Sequence, residues 1–343
     1  MIREAIAKLV TGESLSEREA AQAMEEIMAG EATPAQFAAF VTALRLKGET
    51  VDEITGLASV MRARATRVHT SEPVVDTCGT GGDRAGTFNI STAAALVAAG
   101  AGARVAKHGN RAMTSHCGSA DVLEALGVDL NLGPTRAAEC LDSVGIVFLF
   151  APLYHPAMRH AAAPRQEIGI RTVFNVLGPL TNPAGARAQV LGVAEPDLVE
   201  KVALALQRLG CKHALVVHGN DGLDEISLHA PTTVCEVRGE RVTTYQIAPE
   251  EFGMERVPPS ALAGGTADEN AALVREVLAG REGPRRQVVL LNAAAALVAA
   301  DLASDLMEGL HLAADAIDSG RALGKLSDLV EYTRQAGAAA GAA

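Results

Sequence analysis

Tryptophan is absent and aromatic residues make up only 3% of the 343-residue chain. Few side chains are therefore left on which the bases of a nucleic-acid single strand could stack. Positive charge is in deficit as well, since 41 acidic against 30 basic residues give a formal charge of −11. That balance argues against an unspecific nucleic-acid surface, and any anionic ligand would need a local basic pocket. No apolar run is long enough to span a bilayer; the Ala-rich stretch 93–101 is short and interrupted by Gly100. The N-terminus, Met1-Ile2-Arg3-Glu4-Ala5, carries an acid and lacks the apolar core of a signal peptide, so a cytoplasmic protein without membrane contact is expected. The five cysteines, Cys78, Cys117, Cys140, Cys211 and Cys235, are odd in number and never form a C-x-x-C pattern. Neither a disulfide framework nor a zinc site is indicated, and reduced thiols are expected.

What the chain does have is a hydrophobic content of 48%, enough for a sizeable core in two domains or in one domain with a large appendage. Its organising stretch is Asp76-Thr77-Cys78-Gly79-Thr80-Gly81-Gly82-Asp83, which follows the apolar Pro73-Val74-Val75 and opens through Phe88-Asn89-Ile90-Ser91-Thr92 into an Ala/Val-rich helical pattern. That order reads as strand, glycine loop, helix start. Such a loop brings bare backbone N–H groups to an anion, and the helix N-terminus adds partial positive charge, so a phosphate or pyrophosphate is the expected guest. Taken alone, the octet is equally compatible with a tight turn whose glycines serve only the backbone.

Residues 1–65 read as helix after helix. Ser16-x-x-Glu19 and Thr50-x-x-Glu53 form capping boxes, and Thr33 with Pro34 starts a helix between them. From Val74 onward, short β-branched runs at 73–76, 104–107, 146–150, 189–193 and 214–218 alternate with helical patterns, the signature of a βαβ sheet. Residues 234–247 read as a hairpin, and three long helical patterns close the fold. The expected class is α/β: an all-helical N-terminal domain over 1–68, joined by part of 154–185, and a larger domain over 69–335 with a mostly parallel central sheet. A helical module this small packs against something larger and is expected to serve as an assembly surface. The Gly/Ala-rich tail 336–343 is expected to be disordered.

A second cluster, Lys107-His108-Gly109-Asn110-Arg111, ends a predicted strand, where ligands bind in open parallel sheets. Lys107 and Arg111 carry positive charge, Gly109 permits close backbone approach, and Asn110 both donates and accepts.

These two blocks, together with Asn89-Ile90-Ser91-Thr92, Gly118-Ser119-Ala120-Asp121, Arg171-Thr172-Val173-Phe174-Asn175, Gly178-Pro179-Leu180-Thr181-Asn182-Pro183 and Asp221-Gly222-Leu223-Asp224-Glu225, resemble anthranilate phosphoribosyltransferases in order and spacing. The resemblance covers nearly the whole chain. The Lys-His-Gly-Asn-Arg block alone also resembles pyrimidine-nucleoside phosphorylases, which share the fold. The implied reaction is transfer of 5-phosphoribose from phosphoribosyl pyrophosphate to the amine of anthranilate, in tryptophan biosynthesis. By the same resemblance, Gly79, Gly82, Asp83, Thr87, Asn89, Ile90, Ser91 and Thr92 cradle the pyrophosphoribosyl group. Lys107, His108, Gly109, Asn110, Arg111, Ala112, Met113, Thr114, Ser115 and Ser119 complete that site. Ser91 is the implied ligand of one Mg²⁺, and Asp224 with Glu225 that of a second. Arg165 resembles the arginine that holds the anthranilate carboxylate, and Asn110 the residue that positions its amine. A homodimer through the helical domain is expected.

Arg159 and Arg171 read as helix-surface charges or structural ion pairs, and His108 and His155 as packed structural histidines with proton transfer as the alternative. Three residues depart from the family pattern: His116 and Cys117 in a loop that is commonly serine-rich, and Pro164 before Arg165, where it would stiffen a hinge. Two competing readings remain. A nucleoside phosphorylase is disfavoured by Arg165 and the Asp224-Glu225 pair. A relative that has lost catalysis and binds nucleotides or nucleic acid is disfavoured by the acidic charge.

Overall fold

The computed structural model describes residues 1–112 and 117–341. The expectations for Met113, Thr114, Ser115 and His116, and for the last two residues of the tail, lie outside them. Four helices open the chain, α1 (Ile2–Val10), α2 (Glu17–Ala29), α3 (Pro34–Lys47) and α4 (Val51–Arg64). Each of the last three starts on a reciprocal capping box, Ser16 with Glu19, Thr33 with Gln36 and Thr50 with Glu53, so the first-turn N–H groups find partners within four residues.

The chain then enters β1 (Val75–Gly79), α5 (Ile90–Gly100), β2 (Val105–Gly109), α6 (Ser119–Leu126), α7 (Pro134–Val144) and β3 (Ile146–Phe150). Three short helices, α8 (Ala151–Tyr154), α9 (Arg159–Ile168) and α10 (Val173–Leu177), precede β4 (Ala188–Gly192). After them come α11 (Val199–Arg208), β5 (His213–Gly219) and the hairpin β6 (Thr232–Arg238) and β7 (Arg241–Ile247). The seven strands form one sheet in the order β3-β2-β1-β4-β5-β6-β7. It is parallel from β3 to β5 and antiparallel at β6 and β7. Helices α12 (Ala267–Leu278), α13 (Pro284–Ala299), α14 (Leu306–Asp318) and α15 (Arg321–Gly341) follow.

Two strands run further than their apolar runs suggest. β1 pairs with β4 as far as Gly79 opposite Gly192, and β2 with β3 as far as Gly109 opposite Phe150. Ladder hydrogen bonds carry both strands into the motifs, so Gly79, His108 and Gly109 are strand residues rather than loop residues.

Alternation along the strands divides the core. Val190, Leu215 and Val217 face one apolar cluster, while Leu191, Ala214 and Val216 face another. In the first, the Ala-rich α5 is buried along its length and wrapped by α13, α14 and α15, as befits a helix apolar on every side. In the second, Phe37 of α3, Leu57 of α4, Phe174 of α10 and Leu206 of α11 pack together. Phe37 and Phe174 lie 5.3 Å apart between ring centroids. Backbone bonds from Thr66 N to Tyr154 O (2.8 Å) and from Val68 N to Pro183 O (3.1 Å) tie the end of the helical module to that returning segment.

The tail differs from expectation, because α15 continues through Gly341. Alanine is the best helix former, and a helix already nucleated upstream propagates through an Ala-rich stretch without a second nucleation cost.

Candidate active site

From β1 the chain runs outward to β2 and β3 and then returns on the other side of β1 as β4. That reversal leaves a crevice at the carboxyl ends of the strands. Two cavities occupy it, one of about 300 Å³ at the glycine loop and one of about 730 Å³ toward the helical module. Gly79, His108, Gly109 and Asn110 border both.

The first cavity brings together Gly79, Gly82, Asp83, Thr87, Asn89, Ile90, Ser91, Thr92, Lys107, His108, Gly109, Asn110, Arg111, Ala112, Ser119, Asp224 and Glu225. Gly81 and Gly82 turn with φ of +65° and +79°, a region that an L-side chain enters only at a cost. Asn89 precedes α5 without capping it. Its side chain donates to Cys117 O (3.2 Å) and accepts from Asn270 Nδ2 (3.0 Å). The N-terminus of α5 instead faces a carboxylate, with Ser91 N donating to Glu225 Oε1 at 3.1 Å. Gly81 N donates to Asp224 Oδ2 at 2.7 Å. Loss of water, with Asp83 close by, pushes the Asp224 carboxyl up to about 7. Burial and the neighbouring Asp224 push Glu225 up to about 8. Carboxylates crowded this way hold hard-cation chemistry in reserve, because a divalent ion relieves the repulsion that raises their pKa. The Thr92 hydroxyl, buried at the same helix start, has no hydrogen-bond partner among the described residues.

Lys107 leaves β2 sideways. Its ammonium donates to Thr77 O and lies 3.3 Å from Ser91 Oγ, and burial lowers its pKa against the pull of Asp76 and Glu225. Asp76 is fully enclosed. Its two oxygens accept from His108 N (3.1 Å) and Asn182 Nδ2 (2.8 Å), and burial pushes it up to about 6. Asn182 also donates to Ala106 O at 2.7 Å, which pins the 178–183 turn to β2. Arg111 reaches the cavity wall but is tied off. Its guanidinium pairs with Asp121 (3.0 Å) and Glu124 (2.8 Å) and stacks 5.6 Å from the Phe150 centroid.

The second cavity has largely apolar walls, including Met61 of α4, Pro152, Met158, Phe174 and Pro179. Arg165 lines it, half-buried, with its guanidinium 5.3 Å from the Phe174 centroid and no acidic partner among the described residues. Burial alone lowers its pKa. Pro164 sits inside α9 rather than at a hinge, where it removes one N–H from the helical ladder one residue before Arg165. His108 and His155 also line this cavity, 5.0 Å apart between ring centroids. Burial depresses them to about 3 and about 4, so both are neutral, and each has an Nε2 without a partner among the described residues. Arg159 lies exposed at the mouth, beside His160.

Sequence reasoning missed several contributors to the first cavity, among them Gly264, Gly265, Asn270 and Arg171. Gly264 and Gly265 close over the loop, with Gly264 N bonded to Gly86 O (2.9 Å) and Gly265 N to Asn270 Oδ1 (2.8 Å). No local signal links residues so far apart in the chain. Arg171, read as a helix-surface charge or a structural ion pair, lies in the cleft with its guanidinium against Gly82 and its Nε 3.6 Å from Glu195; its place in the same block as Asn175, another cavity residue, was the available hint.

Comparison with known proteins adds to this geometry. Residues 3–65 match the helical bundle domain of a glycosyl transferase family, and residues 71–323 match the α/β domain of that family. The anthranilate phosphoribosyltransferase of Chloroflexus aggregans is 61% identical over 335 residues, 97% of this chain and 98% of that protein. A crystal structure of anthranilate phosphoribosyltransferase from Thermus thermophilus superposes with a TM-score of 0.91 at 48% identity, covering 96% of this chain and 99% of that one. The Saccharomyces cerevisiae enzyme of the same name, in complex with phosphoribosyl pyrophosphate and Mg, gives a TM-score of 0.90 at 30% identity over 97% and 98% of the two chains.

Proposed function

We propose a division of labour for the cleft from one premise: the chain belongs to the anthranilate phosphoribosyltransferase family. It is a pentosyltransferase that moves 5-phosphoribose from phosphoribosyl pyrophosphate to the amine of anthranilate and releases pyrophosphate, in tryptophan biosynthesis. The C1–O bond to pyrophosphate breaks, a C1–N bond forms and the amine loses a proton. The sugar passes through an oxocarbenium-like state, so catalysis consists of stabilising the leaving group and aiming the amine. An aromatic amine is unprotonated at neutral pH and attacks without prior activation.

The diphosphate and ribose are assigned to the first cavity. Gly79, Gly82, Asp83, Thr87, Asn89, Ile90, Ser91 and Thr92 form its floor, and Lys107, Gly109, Asn110, Ala112 and Ser119 its far wall. The orphaned Thr92 hydroxyl supports that assignment. Ser91, Asp224 and Glu225 offer hard oxygen donors whose crowding suits Mg²⁺, with two ions per site as our reading. When bound, Mg²⁺ neutralises the charge that develops on the departing pyrophosphate. Lys107 orients the Ser91 hydroxyl, and Asp76 with Asn182 holds the end of β2 in register with the 178–183 turn.

Anthranilate is assigned to the second cavity. One observation carries this reading: an apolar chamber lined by Arg165, which has no acidic partner among the described residues, opens onto the glycine loop at Asn110. The guanidinium fork fits the carboxylate, the flat ring meets apolar walls, and Asn110 at the junction positions the amine. The rings of His108 and His155 border the same space. We assign a homodimer to the helical module, where Val10 of α1 and Leu46 of α3 are 67% and 83% exposed. No described helix is long and apolar enough to cross a membrane, and we assign the enzyme to the cytoplasm.

The test is the loss of anthranilate fluorescence in the presence of phosphoribosyl pyrophosphate and Mg²⁺. Signal should fall only when both are present, and persistent fluorescence with folded protein refutes the reading. In Asn110→Ala, aim is lost, so turnover should fall even at saturating substrates.

A further inference from the structure

Phosphoribosyl pyrophosphate carries a phosphate monoester and a diphosphate, yet the first cavity presents three carboxylates, those of Asp83, Asp224 and Glu225. Three long cations line it among the described residues. Lys107 is buried and donates to Thr77 O beside Ser91 Oγ. Arg111 makes paired contacts to Asp121 and Glu124. Arg171 is different. Its side chain is 24% exposed, and its contact to an acid is a long one, 3.6 Å from Nε to Glu195 Oε1. The other Glu195 oxygen is held at 2.6 Å by Arg45 of α3, so Glu195 keeps a partner whether or not Arg171 stays. The outer edge of the Arg171 guanidinium rests on the α-carbon of Gly82, in the space a side chain at that position would fill.

We propose that Arg171 is a ligand of the pyrophosphate group of phosphoribosyl pyrophosphate, its guanidinium leaving Glu195 for the diphosphate oxygens above Gly82. This rests on the reading of the glycine loop as the diphosphate cradle and adds to it the fork that the loop itself lacks. Planar guanidinium matches two phosphoryl oxygens at once, and a phosphate is the stronger partner than a carboxylate already shared with Arg45. Gly82 thereby gains a second role, since the absence of a side chain there is what lets the end of the Arg171 guanidinium reach the loop.

Calorimetry with inorganic pyrophosphate and Mg²⁺, on wild type, Arg171→Gln and Glu195→Gln, separates this proposal from a structural ion pair. Arg171→Gln should weaken pyrophosphate binding and raise KM for phosphoribosyl pyrophosphate by roughly 10- to 100-fold, with KM for anthranilate unchanged. Glu195→Gln should bind pyrophosphate at least as tightly as wild type, because it removes only the competing partner. A pair that merely braces the fold makes the opposite forecast, since losing either member would then have the same effect on both stability and binding. Equal pyrophosphate affinity in wild type and in Arg171→Gln overturns the proposal. Failure of wild type itself to bind pyrophosphate overturns the cradle reading, and the proposal with it.

Discussion

Replacing Gly82 by alanine adds one methyl group to the loop, and two separate costs follow. The first is conformational: with φ at +79°, holding an L-side chain there costs roughly 1–2 kcal/mol. The second is steric, because the new methyl takes the place of the Arg171 guanidinium. That guanidinium is the far end of a flexible side chain and can move away, and the part-exposed contact with Glu195 it gives up is worth at most about 1 kcal/mol. The sum is roughly 1–3 kcal/mol, and at about 2 °C per kcal/mol for a chain of this size the melting temperature should fall by about 2–6 °C. In an Arg171→Ala background the steric part disappears, so Gly82→Ala should then cost only the conformational part. The assay is thermal melting of the four proteins, with and without phosphoribosyl pyrophosphate and Mg²⁺. Wild type gains stability from the ligands according to their affinity, and Gly82→Ala should gain less, since the methyl narrows the cradle and displaces Arg171. A variant that melts lower yet gains as much from ligand as wild type would show the loop to be only a turn, with the phosphate site elsewhere.

Arg165→Ala removes a charge-assisted contact worth roughly 1.5–3 kcal/mol, so KM for anthranilate should rise about 10- to 100-fold while KM for phosphoribosyl pyrophosphate holds; an unchanged anthranilate KM removes Arg165 from the site. The Asp224 and Glu225 pKa values are raised in the fold, to about 7 and about 8. The advantage of their neutral forms is therefore complete below the normal carboxylate range and is lost as pH rises through those values in metal-free protein. Mg²⁺ competes with these protons, so its stabilising effect in melting experiments should grow between about pH 6 and pH 9. The double variant Asp224→Asn, Glu225→Gln should need more Mg²⁺ for turnover and lose that pH trend; a Mg²⁺ titration like that of wild type would leave the pair as ordinary charges. Away from the cleft, His213 is bonded through Nε2 to Glu236 (3.1 Å) and through Nδ1 to Asp301 (3.0 Å). Desolvation pushes its pKa down, but the two carboxylates outweigh it and the net shift is upward. Its stabilising contribution is thus full below the usual histidine range and is lost as pH rises through the raised value. The stability difference between wild type and His213→Gln should be larger at pH 6 than at pH 9, and equal differences would refute the charged triad.

What could be read from the chain alone follows from distance along it. The capping boxes at Ser16, Thr33 and Thr50 lie within four residues, and the strand–loop–helix unit around Gly79 within about twenty, so local chemistry reveals both. Arg171 shows the limit. Its charge is visible, but its place over Gly82 depends on α9 and α10 folding back against the helical module, which no local pattern encodes. The Asp76–Asn182 bond and the closure of Gly264 over Gly86 are hidden for the same reason. The partners of Arg111 are hidden likewise: Asp121 and Glu124 lie one turn apart on α6, and only the packing of that helix turns them toward it.

Gly79 and Gly192 are register partners on adjacent strands. A side chain at Gly79 would strike the Asp224 carboxylate, and one at Gly192 the Asp224 backbone carbonyl. The two bare strand ends thus form a slot, two strands wide, into which the acidic segment drops. The position of that segment is a property of the sheet as much as of its own loop. Grafting Asp224-Glu225 onto another doubly wound scaffold would therefore fail unless both bare strand ends were carried with it. A saturation library at positions 79 and 192, selected for growth without supplied tryptophan, should return glycine at each.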